Sequence, residues 1–227
     1  MSELIKGKRK VWNPLARYYI EPFGEWIAER LRHSWITPNM VSVANAVVGL
    51  LMGLLILEGS WLSLIIFGLW VRMFHVFDVT DGHLARIRGE RSKYGAYIDG
   101  ISDRLVMIVW SALILYALFA RSPGMWWMFW GIAFMVGAYL YFVTQERAFQ
   151  NFGGQRKTEQ LQDPLKGNLL SQAFLFWIDG DIQFHLLSLG AFLNRPEWFI
   201  YFYAIYFNLM WIAIIGYYSL QNLRKLV

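Results

Sequence analysis

The sequence has no cysteine, so disulfides and thiolate metal sites are excluded. Charge is scarce as well. Only 16% of the 227 residues are Asp, Glu, Lys or Arg, against about a quarter in an ordinary soluble domain. The opening stretch "MSELIKGKRKVWNP" lacks an apolar h-region, so no cleaved signal peptide is expected. Neither an internal repeat nor a soluble second domain is visible. What the chain has instead is apolar bulk: 57% hydrophobic residues, 18% aromatic, and a positive mean hydropathy.

Apolar segments of roughly 20 residues recur, the length a helix needs to cross a bilayer. Six spans are expected, at 39–57, 62–81, 95–120, 126–146, 170–193 and 198–220. Asp179, Gly180 and Asp181 interrupt the fifth. Residues 168–178 are an alternative interfacial helix there, with a short span from about 182. The expected fold is therefore an all-α integral membrane protein, a six-transmembrane-helix bundle. It forms a single membrane-embedded domain over 1–227, of which 1–38 is a cytoplasmic or interfacial segment. Within that segment, "LARYYIEPFGEWIAERLRHSWI" mixes aromatic and charged positions, as an amphipathic juxtamembrane helix does. Thr37-Pro38-Asn39 starts the first span, with Pro where a helix tolerates it.

The net charge of +5 would suggest nucleic acid for a soluble protein. In a membrane protein it marks cytoplasmic loops, and no nucleic-acid partner is expected. With a cytoplasmic N-terminus, 17 Lys and Arg fall inside and only Arg121 and Arg195 outside. Both termini are thus expected in the cytoplasm. Trp126, Trp127 and Trp130 suit the outer aromatic belt.

Against this apolar background, "FDVTDGHLARIRGERSKYGAYIDGISDR" gathers four of the seven aspartates: Asp78, Asp81, Asp99 and Asp103. Asp78 and Asp81 are three apart near the end of span two; Asp99 and Asp103 are four apart near the start of span three. Each pair shares a helix face, and two neighbouring antiparallel helices can bring the pairs together. Clustered carboxylates repel, and a bound divalent cation removes the repulsion. All-oxygen ligands select hard ions such as Mg²⁺ or Mn²⁺. Ion pairing with Arg86, Arg88, Arg91, Lys93 and Arg104 is the plainer alternative for any single aspartate.

The intervening residues suit a phosphate ligand. Gly82 lets a ligand approach the backbone, although a plain helix C-cap explains it equally well. Ala85 is small and one turn on. Arg86 offers a planar fork, and Gly95 leaves space at the start of span three. His75 is expected to be packed rather than ligating, and His83 to be solvated.

The pattern Asp78-x2-Asp81-Gly82-x2-Ala85-Arg86-x8-Gly95-x3-Asp99-x3-Asp103 resembles the motif of the CDP-alcohol phosphotransferase family at every fixed position. The resemblance implies a metal-dependent transferase of phospholipid or related phosphodiester biosynthesis, working on membrane lipid. Such an enzyme passes a substituted phosphate from a CDP-linked donor (CDP-diacylglycerol, CDP-archaeol or another CDP-alcohol) to an acceptor alcohol and releases CMP. By the same resemblance Asp78, Asp81, Asp99 and Asp103 hold the metal, and Asp103 is also the candidate general base. Gly82, Ala85, Arg86 and Gly95 line the CDP pocket. A homodimer with its active site at the cytoplasmic interface is implied, and Ala112, Ala117, Gly131 and Gly137 are small enough for close helix packing. Arg147, Arg156, Lys157 and Lys166 suit a phosphorylated acceptor such as inositol phosphate or glycerol phosphate, or simply cytoplasmic topology. A divalent-cation transporter and a catalytically inactive scaffold of the same fold are the alternatives.

Overall fold

The computed structural model describes residues 16–152 and 182–226, and every regular element among them is a helix. A π-type turn, Ala16–Ile20, leads into α1, Glu21–Leu31. α2 is Pro38–Gly53 and continues as the short α3, Leu55–Glu58. α4 is Trp61–Arg88, α5 Lys93–Arg121, and α6 Met125–Phe152. α7 is Ile182–Phe192 and α8 is Glu197–Leu226.

Among the described residues, five helices are long and apolar enough to cross a membrane: α2 with α3, then α4, α5, α6 and α8. The span expected at 170–193 is different. Its described part is the 11-residue α7, which rises only about 16 Å against a hydrocarbon core of about 30 Å. Residues 170–181, and with them the alternative helix at 168–178, lie outside the described residues.

Local chemistry sets the helix ends around the aspartates. Thr37 caps α2, its hydroxyl accepting from the Met40 N–H at 3.2 Å. α4 stops at Gly89, whose φ of 69° is a left-handed value that glycine adopts without steric cost. The Glu90 N–H then bonds back to the Ala85 carbonyl at 2.9 Å, a Schellman-type closure. Ser92 starts α5 by accepting from the Gly95 N–H at 2.9 Å. A short loop therefore returns the chain from α4 to α5 beside the motif.

The chain divides into two compact units, Met1–Ile114 with Pro164–Arg195, and Leu115–Asp163 with Pro196–Val227. In the first, α4 is the central helix, packed by α1, α2 and α7. Ala16 and Ile20 bury against Val76 and Val79, and Ala28 and Val41 against Leu84. The amphipathic segment thus seats its small and branched residues on α4, leaving Tyr18, Tyr19 and Trp26 exposed. α2 turns a stripe of small residues inward. Gly49 lies against Phe74 and Val106, and Gly53 against Trp110.

In the second unit α6 packs on α8 through aromatic contacts. Trp127 stacks on Tyr201 at 6.0 Å, and Phe134 meets Phe199 and Phe207. Asn208 donates to the Ala133 carbonyl at 2.8 Å. Gly131 and Gly137 admit these contacts: a Cβ on Gly131 would meet the Leu115 side chain, and one on Gly137 would strike Asn208. Both glycines therefore serve packing inside one subunit.

Candidate active site

α4 and α5 bring three carboxylates to one place. Asp78, Asp99 and Asp103 each offer an oxygen, and these oxygens lie within 4.8 Å of one another. All three residues are half-buried. Asp78 and Asp103 are also within hydrogen-bond reach of each other. At an effective dielectric of about 20, two unit charges at this separation repel by roughly 3–4 kcal/mol. The dimensions fit one hard divalent ion. Oxygens bonded at about 2.0–2.6 Å to a single centre cannot lie more than about 5 Å apart. An all-carboxylate donor set also matches the preference of such ions for oxygen.

Asp81 stands differently. It is 6% exposed, and one of its oxygens, Oδ2, accepts from the Ser42 hydroxyl of α2 at 2.5 Å. It interacts electrostatically with Asp78 and Asp99 but is not in the group of three. The reason is helical phase. Three residues at 100° each set Asp81 about 60° round the helix from Asp78, enough to take its Oδ2 to Ser42 of α2 while the group still faces Asp78 and Asp99.

Gly82 lies inside α4, not at its end, so a C-cap role is excluded; Gly89 has it. A Cβ on Gly82 would lie 3.4 Å from the Arg86 guanidinium, which places that fork directly over the glycine. Ala85 and Arg86 follow on the last turns of α4, both half-buried. The space above Gly95 is narrow: a Cβ there would lie 3.0 Å from the Asn39 amide oxygen and 3.1 Å from Ser92 Oγ.

His75 is packed, fully buried and stacked on Phe184 at 4.8 Å, with His185 5.8 Å away. His83 is not solvated as expected. It is 7% exposed, and its Nε2 lies 2.5 Å from Glu21 Oε2, because α1 covers this side of α4. Of the four basic residues suited to a phosphorylated acceptor, Arg147 lies in α6, five residues before its end at Phe152. Arg156, Lys157 and Lys166 are outside the described residues.

Sequence reasoning missed Ser42 and Asn45. Each sits alone in the apolar run "MVSVANAVVG". Their three-residue spacing, shared with Asn39, was the available signal: it puts all three on one face of α2.

The CDP-alcohol phosphatidyltransferase family model matches residues 35–216. The chain belongs to that family. The match includes the whole aspartate motif and runs through both compact units. Among curated proteins, a bifunctional IPC transferase and DIPP synthase of Thermococcus kodakarensis is 30% identical over 112 residues, covering 49% of this chain and 24% of that protein. A phosphatidylinositol phosphate synthase of Cutibacterium acnes is 30% identical over 99 residues, covering 43% of this chain and 41% of that protein. The chain therefore spans less than half the length of these relatives. Among solved structures, phosphatidylinositol phosphate synthase of Mycobacterium tuberculosis with CDP-DAG bound matches with a TM-score of 0.62 and 17% identity. The match covers 85% of this chain and 92% of that one; at that identity the likeness is one of fold.

Proposed function

We propose that this protein is a metal-dependent CDP-alcohol phosphotransferase. It moves a substituted phosphate from a CDP-linked lipid to an acceptor alcohol and releases CMP. The observation that carries the reading is the meeting of Asp78, Asp99 and Asp103 within 4.8 Å, inside a complete eight-position motif of the family.

In this reading Asp78, Asp99 and Asp103, with Asp81 beside them, hold Mg²⁺ or Mn²⁺. The ion's contribution is to neutralise charge on the pyrophosphate as CMP departs. Arg86 offers its guanidinium fork to a phosphate of the donor, across Gly82, where no side chain intervenes. Ala85 and Gly95 border the cytidine diphosphate portion. A carboxylate oxygen of Asp103 accepts the proton of the acceptor hydroxyl, a role worth typically 10² to 10⁴-fold in rate. The bond from the acceptor oxygen to phosphorus forms as the bond to CMP breaks.

The donor lipid class, CDP-diacylglycerol or CDP-archaeol, is a matter for assay. The acceptor we favour is a phosphorylated polyol such as inositol phosphate or glycerol phosphate. Two observations support it: a curated relative is named a phosphatidylinositol phosphate synthase, and the 147–166 segment is basic. Both termini and the acidic site are assigned to the cytoplasmic side on the distribution of Lys and Arg. A homodimer is part of the proposal on family grounds; Gly131 and Gly137 do not argue for it, since each is used inside one subunit.

The test is to purify the protein and screen acceptor alcohols against CDP-diacylglycerol and CDP-archaeol, reading CMP. A phosphorylated polyol that drives metal-dependent CMP release is the expected result. No CMP from any donor and acceptor pair would overturn the reading.

A further inference from the structure

Ser42 is 7% exposed, on a helix that turns Asn45, Gly49 and Gly53 as well as Val41 inward. Its hydroxyl has one proton to give. The Asp81 oxygen lies 2.5 Å away and the Pro38 carbonyl 3.3 Å away, so the proton goes to Asp81. Ser42 is therefore the tie that reaches Asp81 from a second helix.

The neighbours on α2 show that this tie is one of a row. Asn39 abuts Gly95 of α5, and Asn45 Nδ2 donates to the Phe74 carbonyl of α4 at 2.9 Å, one turn before Asp78. Asn39, Ser42 and Asn45 form the polar half of one face; Gly49 and Gly53 form its small half against Phe74, Val106 and Trp110. The polar half adjoins the stretch of α4 and α5 that carries the aspartates.

We propose that Ser42 is a positioning residue for the acidic site: it anchors Oδ2 of Asp81 from α2 and fixes how that carboxylate meets the ion. The inference rests on the metal reading given above. A carboxylate has two oxygens with about four acceptor positions, and Ser42 occupies one of them, so the rotation of the group is set before any ion arrives. Partners that orient metal-binding carboxylates typically matter by 10–100-fold in metal affinity.

The experiment titrates Mn²⁺ into the purified full chain in nanodiscs, reading free Mn²⁺ by electron paramagnetic resonance without substrate. Ser42→Ala is expected to weaken Mn²⁺ binding by about 10–100-fold, and Ser42→Thr, which keeps the hydroxyl, to restore it to within a few-fold. CMP release by Ser42→Ala should recover most of its kcat at saturating Mn²⁺. Ser111→Ala is the control: among the described residues that hydroxyl bonds to the Met107 carbonyl of its own helix, and Mn²⁺ affinity should not change. Should Ser42→Ala fail to fold, Ser42→Cys, with its weak donor, is expected to lose affinity in the same direction. Normal affinity in the folded Ala or Cys variant, with Asp78→Asn defective, overturns the inference and leaves the proposed function standing. A loss that Ser42→Thr shares in full assigns the effect to packing and also overturns it. Normal Mn²⁺ binding by Asp78→Asn overturns the metal reading itself.

Discussion

Trp110 of α5 donates its indole N–H to the Gly49 carbonyl of α2 at 2.8 Å. The ring is fully buried and edge-on to Phe67 and Phe74 of α4, so one side chain ties three helices together. It lies seven residues beyond Asp103, two turns along the same helix, and so sets the rotation and depth at which α5 offers Asp103 and Asp99.

A side chain at Gly53 would therefore disturb the site from a distance. A Cβ there would lie 2.6 Å from the Trp110 ring. Gly53→Val is expected to destabilise by about 1–3 kcal/mol through overpacking, and Trp110→Ala by about 3–5 kcal/mol through the lost volume. Thermal unfolding followed by intrinsic fluorescence measures both. An unchanged Tm in Gly53→Val would show that the indole has room to move.

Arg88, at the end of α4, donates to the carbonyls of Leu31, Arg32, Ser34 and Ile36. The Leu31 carbonyl also accepts from the Ser34 N–H and hydroxyl, whereas the other three lie past the last turn of α1, where helical donors run out. Arg88→Ala would strand them, at a cost of about 2 kcal/mol or more. Arg88→Lys should not rescue, because an ammonium lacks the planar fork. The readout is limited proteolysis between residues 31 and 37, expected to speed up in both variants. Protection equal to that of the parent in Arg88→Lys would mean that charge alone suffices.

Gly137 meets Asn208 so closely that a methyl group does not fit. Gly137→Ala should push Asn208 away from the Ala133 carbonyl and lower Tm, with a loss of about 1–3 kcal/mol. The oligomeric state in mild detergent should stay as in the parent. A variant that changed oligomer without losing stability would assign Gly137 to an interface between copies.

For the acidic site, Asp78→Asn and Asp99→Asn are each expected to abolish CMP release, and EDTA to do so reversibly on adding back Mg²⁺ or Mn²⁺. Asp103→Asn separates two roles. As a base, Asp103 would cost kcat by roughly 10² or more on mutation, with metal affinity nearly kept. As a ligand it would cost both, and high Mg²⁺ would partly restore the rate. Full activity in metal-free buffer would remove the metal from the mechanism.

The orientation has its own test. A reporter fused after Val227 should read cytoplasmic, and a probe at Ser122 or Pro123, in the turn between α5 and α6, should react from outside. The opposite pattern would move the acidic site to the other face.

Much of this protein was legible without coordinates because the relevant physics is local. Spans such as 39–57 and 198–220 follow from length and apolarity alone, and an eight-position motif depends only on spacing along the chain. That Asp78 and Asp99 would meet across two helices was an inference from the same periodicity. What the sequence could not express was phase against neighbours. Asp78 and Asp81 read as a pair, yet a 60° turn sends one to α5's aspartates and the other to Ser42. His83 read as solvated because nothing in the chain says that α1 folds back to bring Glu21 over it. Gly131 and Gly137 announced close approach, but the partner in that approach, Leu115 of the preceding helix or Asn208 of α8, is decided only when the helices pack. Hydropathy and spacing are properties of a segment. Which face of one helix meets which face of another is a property of the whole fold.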